Sequence, residues 1–265
     1  MHVVSWPTLR RSPPSRKPTD EMELWEALLL LGGGVAAGII NALAGGGSTL
    51  TVPLLVLAGV PGTSANGSNR VGILTSNMAA AANFRRLGVD GLAHAGPVLL
   101  PVLSGSLIGS LAISQVADDT FETIFGLLMV PIILLSLVKR PPPSVHSTWR
   151  PATTIVVFFL IGIYGGAIQA GVGLVLLSAL TRSGFDLVTA NSVKVLITLA
   201  VTVVALPVFI IKGQVEWGPA LVLATGFTAG GWLGAHVAVE GGERVIKVVI
   251  VVAALALAGR LLGLY

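Results

Sequence analysis

Two cations sit where cations are costly. Arg70 and Lys194 each fall six or seven residues inside an apolar run, over 65–84 and 187–211, roughly 9–10 Å deep at 1.5 Å per residue. A charge at that depth in a bilayer costs on the order of a few kcal/mol unless it is paired or solvated. All twelve acidic residues lie in the N-terminal tail, in loops or near the end of a run. An anion arriving from outside is therefore the natural counter-charge, with snorkelling to the interface as the alternative. Arg suits a two-pronged grip on an oxyanion and Lys a point charge. Asn69, next to Arg70, adds an amide.

Glycine breaks supply the second set of contacts. The run over 24–60 is too long for one simple span and is interrupted at Gly45, Gly46, Gly47 and Ser48; the run over 152–180 is interrupted near Gly165-Gly166 and again at Gly171-Val172-Gly173. A break frees backbone groups that lipid cannot satisfy, so it must face protein or a water-filled cavity. A half-helix starting after Gly47 or after Gly173 would aim unpaired N–H groups and its positive end at an anion. Asn41, Ser48, Thr49 and Gln169 lie close enough in sequence to donate as well. The candidate substrate-binding set is Arg70, Lys194, Asn69, Gly46, Gly47, Ser48, Thr49, Gln169, Gly171 and Gly173. Close helix packing is the competing role for the small residues, and the expected one for Gly105 with Gly109 and Gly230 with Gly234.

Other chemistry is poorly served. There is no cysteine, so thiol catalysis and Cys-ligated metal are excluded. His2, His94, His146 and His236 are scattered without metal-ligand spacing, and no carboxylate pair falls inside a span. No enzyme and no cofactor is expected. Only 11% of the 265 residues are charged and 54% are hydrophobic, against about 25% charged in a soluble domain. The net charge of +4 lies between apolar runs, where it speaks to membrane topology rather than to nucleic acid.

The elements that must position these residues are helices in a bilayer. Eight runs are long enough for the ~20 residues a span requires: 24–60, 65–84, 92–113, 120–138, 152–180, 187–211, 216–239 and 243–262. If all eight cross from a cytosolic N-terminus, eleven Lys and Arg lie inside against Arg182, Arg244 and Lys247 outside, as the positive-inside rule prefers. Treating runs one and five as re-entrant hairpins divides the same residues six against eight, which is no bias. The expectation is eight crossings with both termini cytosolic.

The chain also repeats at a shift of 124 to 126 residues: Ser68-Asn69-Arg70-Val71 meets Ser192-Val193-Lys194-Val195, Gly38 meets Gly162, Asp90 meets Glu216, and Gly105/Gly109 meet Gly230/Gly234. The organisation is a basic, disordered tail over 1–21, dispensable for function; a four-span repeat over 22–138; a Pro-rich linker over 139–151; and a second four-span repeat over 152–265. A repeat of four crossings makes the halves parallel. Internal duplication of this kind is common in transporters, with substrate held between the halves.

The segment GIINALAGGGSTLTVPLLVLAGVPGTSANGSNRVGI (38–73) resembles the first signature of the sulfite exporter TauE/SafE family, also called the toluene sulfonate uptake permease family. The matching features are Gly45 to Gly47, Pro53 to Leu55, Gly59 to Pro61, and Ala65 to Arg70. GAIQAGVGLVLLSALTRSGFDLVTANSVKVLI (166–197) is similar to its weaker second copy. The resemblance covers residues 22 to 265. It implies an inner-membrane carrier for small anions, often sulfur-containing, such as sulfite or organosulfonates, with a channel as the alternative. The second half lacks the aromatic or amide residue that some relatives carry after the Lys, so substrate identity does not follow. The partners implied are a small anion and the lipid bilayer, with a homo-oligomer compatible with the family.

Overall fold

The computed structural model describes residues 22–137 and 150–261, and among them it is all-helical. The tail and nearly all of the Pro-rich linker lie outside the described residues. The helices are α1 (Leu24–Ala44), α2 (Ser48–Leu57), α3 (Gly62–Arg86), α4 (Leu92–Ile113), α5 (Asp118–Leu137), α6 (Pro151–Ala167), α7 (Val172–Arg182), α8 (Leu187–Ile211) and α9 (Trp217–Leu261).

Their ends follow from local chemistry. At the start of α1, Glu23 and Glu26 form a reciprocal capping box, which satisfies two first-turn N–H groups. Helix α6 opens on Pro151, where the missing N–H costs nothing. At α8 the Asp186 carboxylate accepts from the Val188 and Thr189 N–H groups, both at 3.0 Å. Partial burial pushes that carboxyl up, but hydrogen bonds from Thr189 and Val188 outweigh it and hold it below its ordinary value. For α3 the cap comes from elsewhere in the chain: Asp118, at the start of α5, accepts from the Thr63 N–H at 2.8 Å and from its hydroxyl.

Helix directions set the architecture. Helix α1 runs alongside α9 in the same sense: Gly34 faces Leu223 and Phe227, Gly38 faces Phe227 and Gly231, and Ala42 lies on Gly234. Helix α3 also runs with α9, since the Glu216 N–H donates to Ser68 Oγ at 2.8 Å and Asn83 donates to the Trp232 carbonyl at 2.9 Å. Helices α4, α6 and α8 share one direction. Val102 and Ser106 of α4 face Gly162 and Gly166 of α6. At one end of α8, Ser192 donates to the Val89 carbonyl at 3.4 Å; further along, the Val201 carbonyl accepts from Ser106 at 2.9 Å. Helices α3 and α8 cross in opposite senses, with Gly67 and Arg70 near the start of α3 lying on Phe209 near the end of α8.

Helices α1 and α3 therefore start from the same end of the bundle, so α1 and α2 form a hairpin that turns back. Gly47 packs on Ala37 and Asn41, and further along Leu54 meets Gly33. Helices α6 and α8 likewise start from one end, opposite to that of α1, and α6–α7 is the second hairpin. This corrects the expectation of eight crossings with parallel halves. The first and fifth runs turn back, and the halves run in opposite directions. The charge asymmetry misled because it assumed that every apolar run crosses. The break placed at Gly165-Gly166 is also absent: α6 continues to Ala167, the turn falls at 168–171, and α7 starts at Val172, one residue before Gly173.

Runs seven and eight differ as well. They form one helix, α9, of 45 residues, about 68 Å long at 1.5 Å per residue. Gly241 and Gly242 lie in its middle without a proline, and glycine alone weakens a helix by only ~1 kcal/mol. By length and apolar content, Leu24–Ala44, Leu187–Ile211 and Trp217–Gly241 are each sufficient to cross a membrane. Large apolar side chains such as Leu100, Leu127, Leu160 and Ile211 point outward, while Asn66, Ser68, Asn69, Arg70, Ser76 and Asn77 of α3 are buried.

Each hairpin is clasped by the other half through glycine. A Cβ on Gly105 or Gly109 would overlap the Phe159 or Ile163 carbonyl of α6, and one on Gly230 would overlap the Val35 carbonyl of α1. These are the packing roles expected of the two glycine pairs.

Two outcomes follow. Reporter fusions at the N-terminus and after residue 145 should report opposite sides of the membrane, and a shared side would overturn the inverted arrangement. Gly109→Ala and Gly230→Ala should each lower the thermal midpoint, with overpacking costing about 1–3 kcal/mol. Gly218→Ala, which has open space around it, should leave the midpoint unchanged or raise it.

Candidate functional site

The tips of the two hairpins meet inside the bundle. Gly45, left-handed at φ 77°, ends α1 and rests directly on Gly173 at the start of α7; a Cβ on either would overlap the other's Cα. Only glycine meets both demands at Gly45, a positive φ and a backbone-to-backbone contact.

Each tip is held by a cation from the opposite half. Arg70, fully buried in α3, reaches the C-terminal end of α6. Its Nη1 donates to the Gly165 carbonyl at 3.2 Å and to Gln169 Oε1 at 2.6 Å; its Nη2 donates to the carbonyls of Gly166 at 2.6 Å and Ala167 at 3.1 Å. The guanidinium also lies 4.6 Å from the centroid of the Phe209 ring, within cation–π range. Lys194, 1% exposed in α8, does the same at the end of α1: its Nζ donates to the carbonyls of Asn41 at 2.6 Å and Ala42 at 3.0 Å. The last carbonyls of a helix lack intrahelical donors and carry its negative end, so a cation fits there.

These bonds change the reading of the two residues. Neither snorkels to an interface, and neither waits for an anion as its first partner. The acceptors named are all neutral oxygens of the opposite half.

The N-terminal sides of the tips are left differently. Among the described residues, no acceptor takes the N–H groups of Gly46, Gly47 or Ser48, or those of Gly171 and Gly173, although all five residues are buried. Thr49 Oγ1 turns inward to its own Gly46 carbonyl at 2.5 Å. Asn69 Oδ1 accepts from Thr51 of α2 at 2.5 Å, while its Nδ2 has no acceptor. Arg70 Nε is likewise without one. Gln169 adopts φ 65°, rare for a residue with a side chain. It is fixed there by Arg70 on its oxygen and by Thr202, which accepts from its Nε2 at 2.7 Å. The ten residues singled out in the sequence thus lie on the two tips or on the faces of α3 and α8 against them.

Further amides of the second and sixth runs lie beside these contacts. Asn66 donates to the Ala167 carbonyl at 2.8 Å beside Arg70. Asn191, 125 residues on from Asn66, is fully buried with neither amide atom partnered. The repeat shift was the signal that could have paired these two. The carbonyls of Asn41, Ala42, Gly165, Gly166 and Ala167 leave no mark in residue type. Asn41 and Asn77 form an interhelical pair, 3.4 Å apart. Trp232 stands 6.0 Å from the Arg86 guanidinium, and Tyr164 spans its own turn by donating to the Ala170 carbonyl. Among the described residues no group of His, Cys, Asp and Glu is placed to hold a metal ion.

Two half-broken helices meeting tip to tip within a helical bundle define a polytopic protein built around a central, donor-rich point. The chain belongs to the sulfite exporter TauE/SafE family, whose sequence pattern matches residues 30–261. It is 30% identical to a probable membrane transporter protein, ORF9, of a Sinorhizobium species, over 86% of this chain and 88% of that one. It is 26% identical to a probable membrane transporter protein of Haemophilus influenzae, over 83% of this chain and 88% of that one. The Escherichia coli K12 probable membrane transporter protein YfcA is also 26% identical, over 85% of this chain and 86% of its own length. No solved structure matches.

Replacing Arg70 with Gln should lower the thermal midpoint of the detergent-solubilised protein markedly, because buried acceptors lose their donors at about 1–3 kcal/mol each. Arg70→Lys keeps the charge without the fork and should fall between Gln and wild type. A Gln variant as stable as wild type would show that the contacts to α6 contribute nothing.

Proposed function

We propose that this chain is a secondary carrier that moves small anions across the bacterial inner membrane, and that it binds them where the hairpin tips meet. The observation that carries this reading is the set of buried N–H groups at Gly46, Gly47, Ser48, Gly171 and Gly173 without acceptors. Buried donors left unpaired cost free energy, and an oxyanion at a helix N-terminus satisfies several at once. Asn69 Nδ2 and Arg70 Nε add unpaired donors nearby. The Arg70 guanidinium lies beside the tips as well, and Ser48, Thr49 and Gln169 line the same region.

In this reading each half is a re-entrant hairpin followed by crossing helices: α3, α4 and α5 in the first half, α8 and the single long helix α9 in the second. Inverted repeats of this design, with discontinuous helices at the midplane, are a recurring plan among secondary transporters. Sulfur oxyanions such as sulfite, or organosulfonates, are the substrate class that the family's description favours. Their three coplanar acceptor oxygens suit converging N–H groups and a guanidinium edge.

Counterflow in proteoliposomes loaded with sulfite, sulfate, sulfoacetate or taurine tests the proposal. A carrier accumulates labelled anion against an unlabelled internal pool, and a channel does not. Asn69→Ala should weaken half-saturation for the transported anion while leaving insertion intact. Wild-type half-saturation for Asn69→Ala would overturn the site, and no counterflow of any of these compounds would overturn the carrier reading.

A further inference from the structure

The two tips are chemically two-sided. Their N-terminal sides present donors, and their C-terminal sides present carbonyl oxygens. In transporters built from broken helices, such carbonyl ends are where a coupling Na⁺ is coordinated while the substrate anion takes the N-terminal ends. Here the carbonyl ends are already taken. The Lys194 ammonium, a compact monovalent cation, is held by the Asn41 and Ala42 carbonyls at 2.6 and 3.0 Å. The Arg70 guanidinium fills the corresponding position on α6, with three carbonyls and the Gln169 oxygen.

We infer that Lys194 is a tethered replacement for a coupling cation. It occupies a backbone-carbonyl cation site at the end of α1, so the protein works without Na⁺, and removing its side chain opens that site to a free monovalent cation. Three observations support this. The site is built from buried backbone, at a left-handed turn that fixes its carbonyls. The occupant comes from the opposite half, so a substitution in α8 removes it without altering α1. Equivalent tips carry equivalent occupants, 124 residues apart, which a chance contact would not produce. The inference deepens the transport reading and rests on it for its functional meaning, but the site itself can be tested without transport.

The test uses the full chain in detergent, with Na⁺ as the probe. Thermal unfolding is followed in NaCl, KCl and choline chloride at equal ionic strength. The wild type should show the same midpoint in all three. Lys194→Ala should start lower and recover by several degrees, saturably, in Na⁺ or K⁺ over choline. Lys194→Met, which fills the space without charge, should start low and not recover. In proteoliposomes, wild-type counterflow should be unchanged when choline replaces Na⁺.

A wild type stabilised or stimulated by Na⁺ would overturn the inference, as would a Lys194→Ala variant no more cation-responsive than wild type. If the Ala variant does not insert, Lys194→Ser, which is also small enough to leave the carbonyls open, takes its place with the same two outcomes. Failure of the transport reading looks different: the Ala variant gains its cation response, yet no anion shows counterflow in the wild type.

Discussion

A helix that stops inside a membrane leaves carbonyls without donors and N–H groups without acceptors, and lipid offers neither. Most of what is distinctive in this chain answers that constraint. Gly45 and the Ile168–Gly171 turn end α1 and α6 inside the bundle, and the freed carbonyls are met by Lys194 and Arg70 from the opposite half. The cost of burying those cations and the cost of breaking those helices thus offset each other. Neither feature would be stable alone: Arg70 without the α6 carbonyls is a bare charge in a low-dielectric core, and the α6 end without Arg70 is a set of orphaned acceptors. Among the described residues, the N–H groups on the other side of each tip have no such resident partner.

The packing serves the same arrangement. Each hairpin is gripped by the third helix of the other half, α1 by α9 and α6 by α4, through glycines that bring backbones into direct contact. Without a hydrophobic force between helices in lipid, close van der Waals packing of small residues is what holds them. The cation caps, α3 to α6 and α8 to α1, and the glycine clasps, α4 to α6 and α9 to α1, therefore both tie each hairpin to the other half. A movement of one half past the other must change both together, which couples the shape of the tip site to the disposition of the halves.

Much of this was legible in the residues. Arg70 and Lys194 stood out because charge inside an apolar run needs a reason, and the glycine breaks stood out because they interrupt runs too long for one helix. The repeat shift tied these features together before any coordinates. Three things were not legible. The partners of the cations are backbone carbonyls, which have no residue type. The direction of the halves depends on whether α1 and α6 cross or turn back, and apolar length is similar in both cases. Gly165-Gly166 reads as a break by composition, yet these glycines stay helical with neighbours packed against both, Ser106 of α4 over Gly166 and Val172 and Val201 over Gly165. Tertiary contact decided there what local propensity left open.

The two halves are alike in plan but not in chemistry. Two identical inverted halves would make the inward-open and outward-open arrangements equal in energy by symmetry alone. Here one tip is held by an arginine fork that meets four oxygens, stacks on Phe209 and has Asn66 bonded beside it. The other is held by an ammonium on a flexible stem, next to an Asn191 amide with no partner. A fork fixes orientation, whereas a point charge tolerates rotation and small displacement. The α6 tip is accordingly the more rigidly positioned of the two, and Gln169, held at a positive φ between Arg70 and Thr202, belongs to that rigid side. The α1 tip can shift against Lys194 without losing its charge. An equilibrium between the two arrangements is then biased by the sequence difference between Arg70 with Asn66 and Lys194 with Asn191, rather than left even by the repeat.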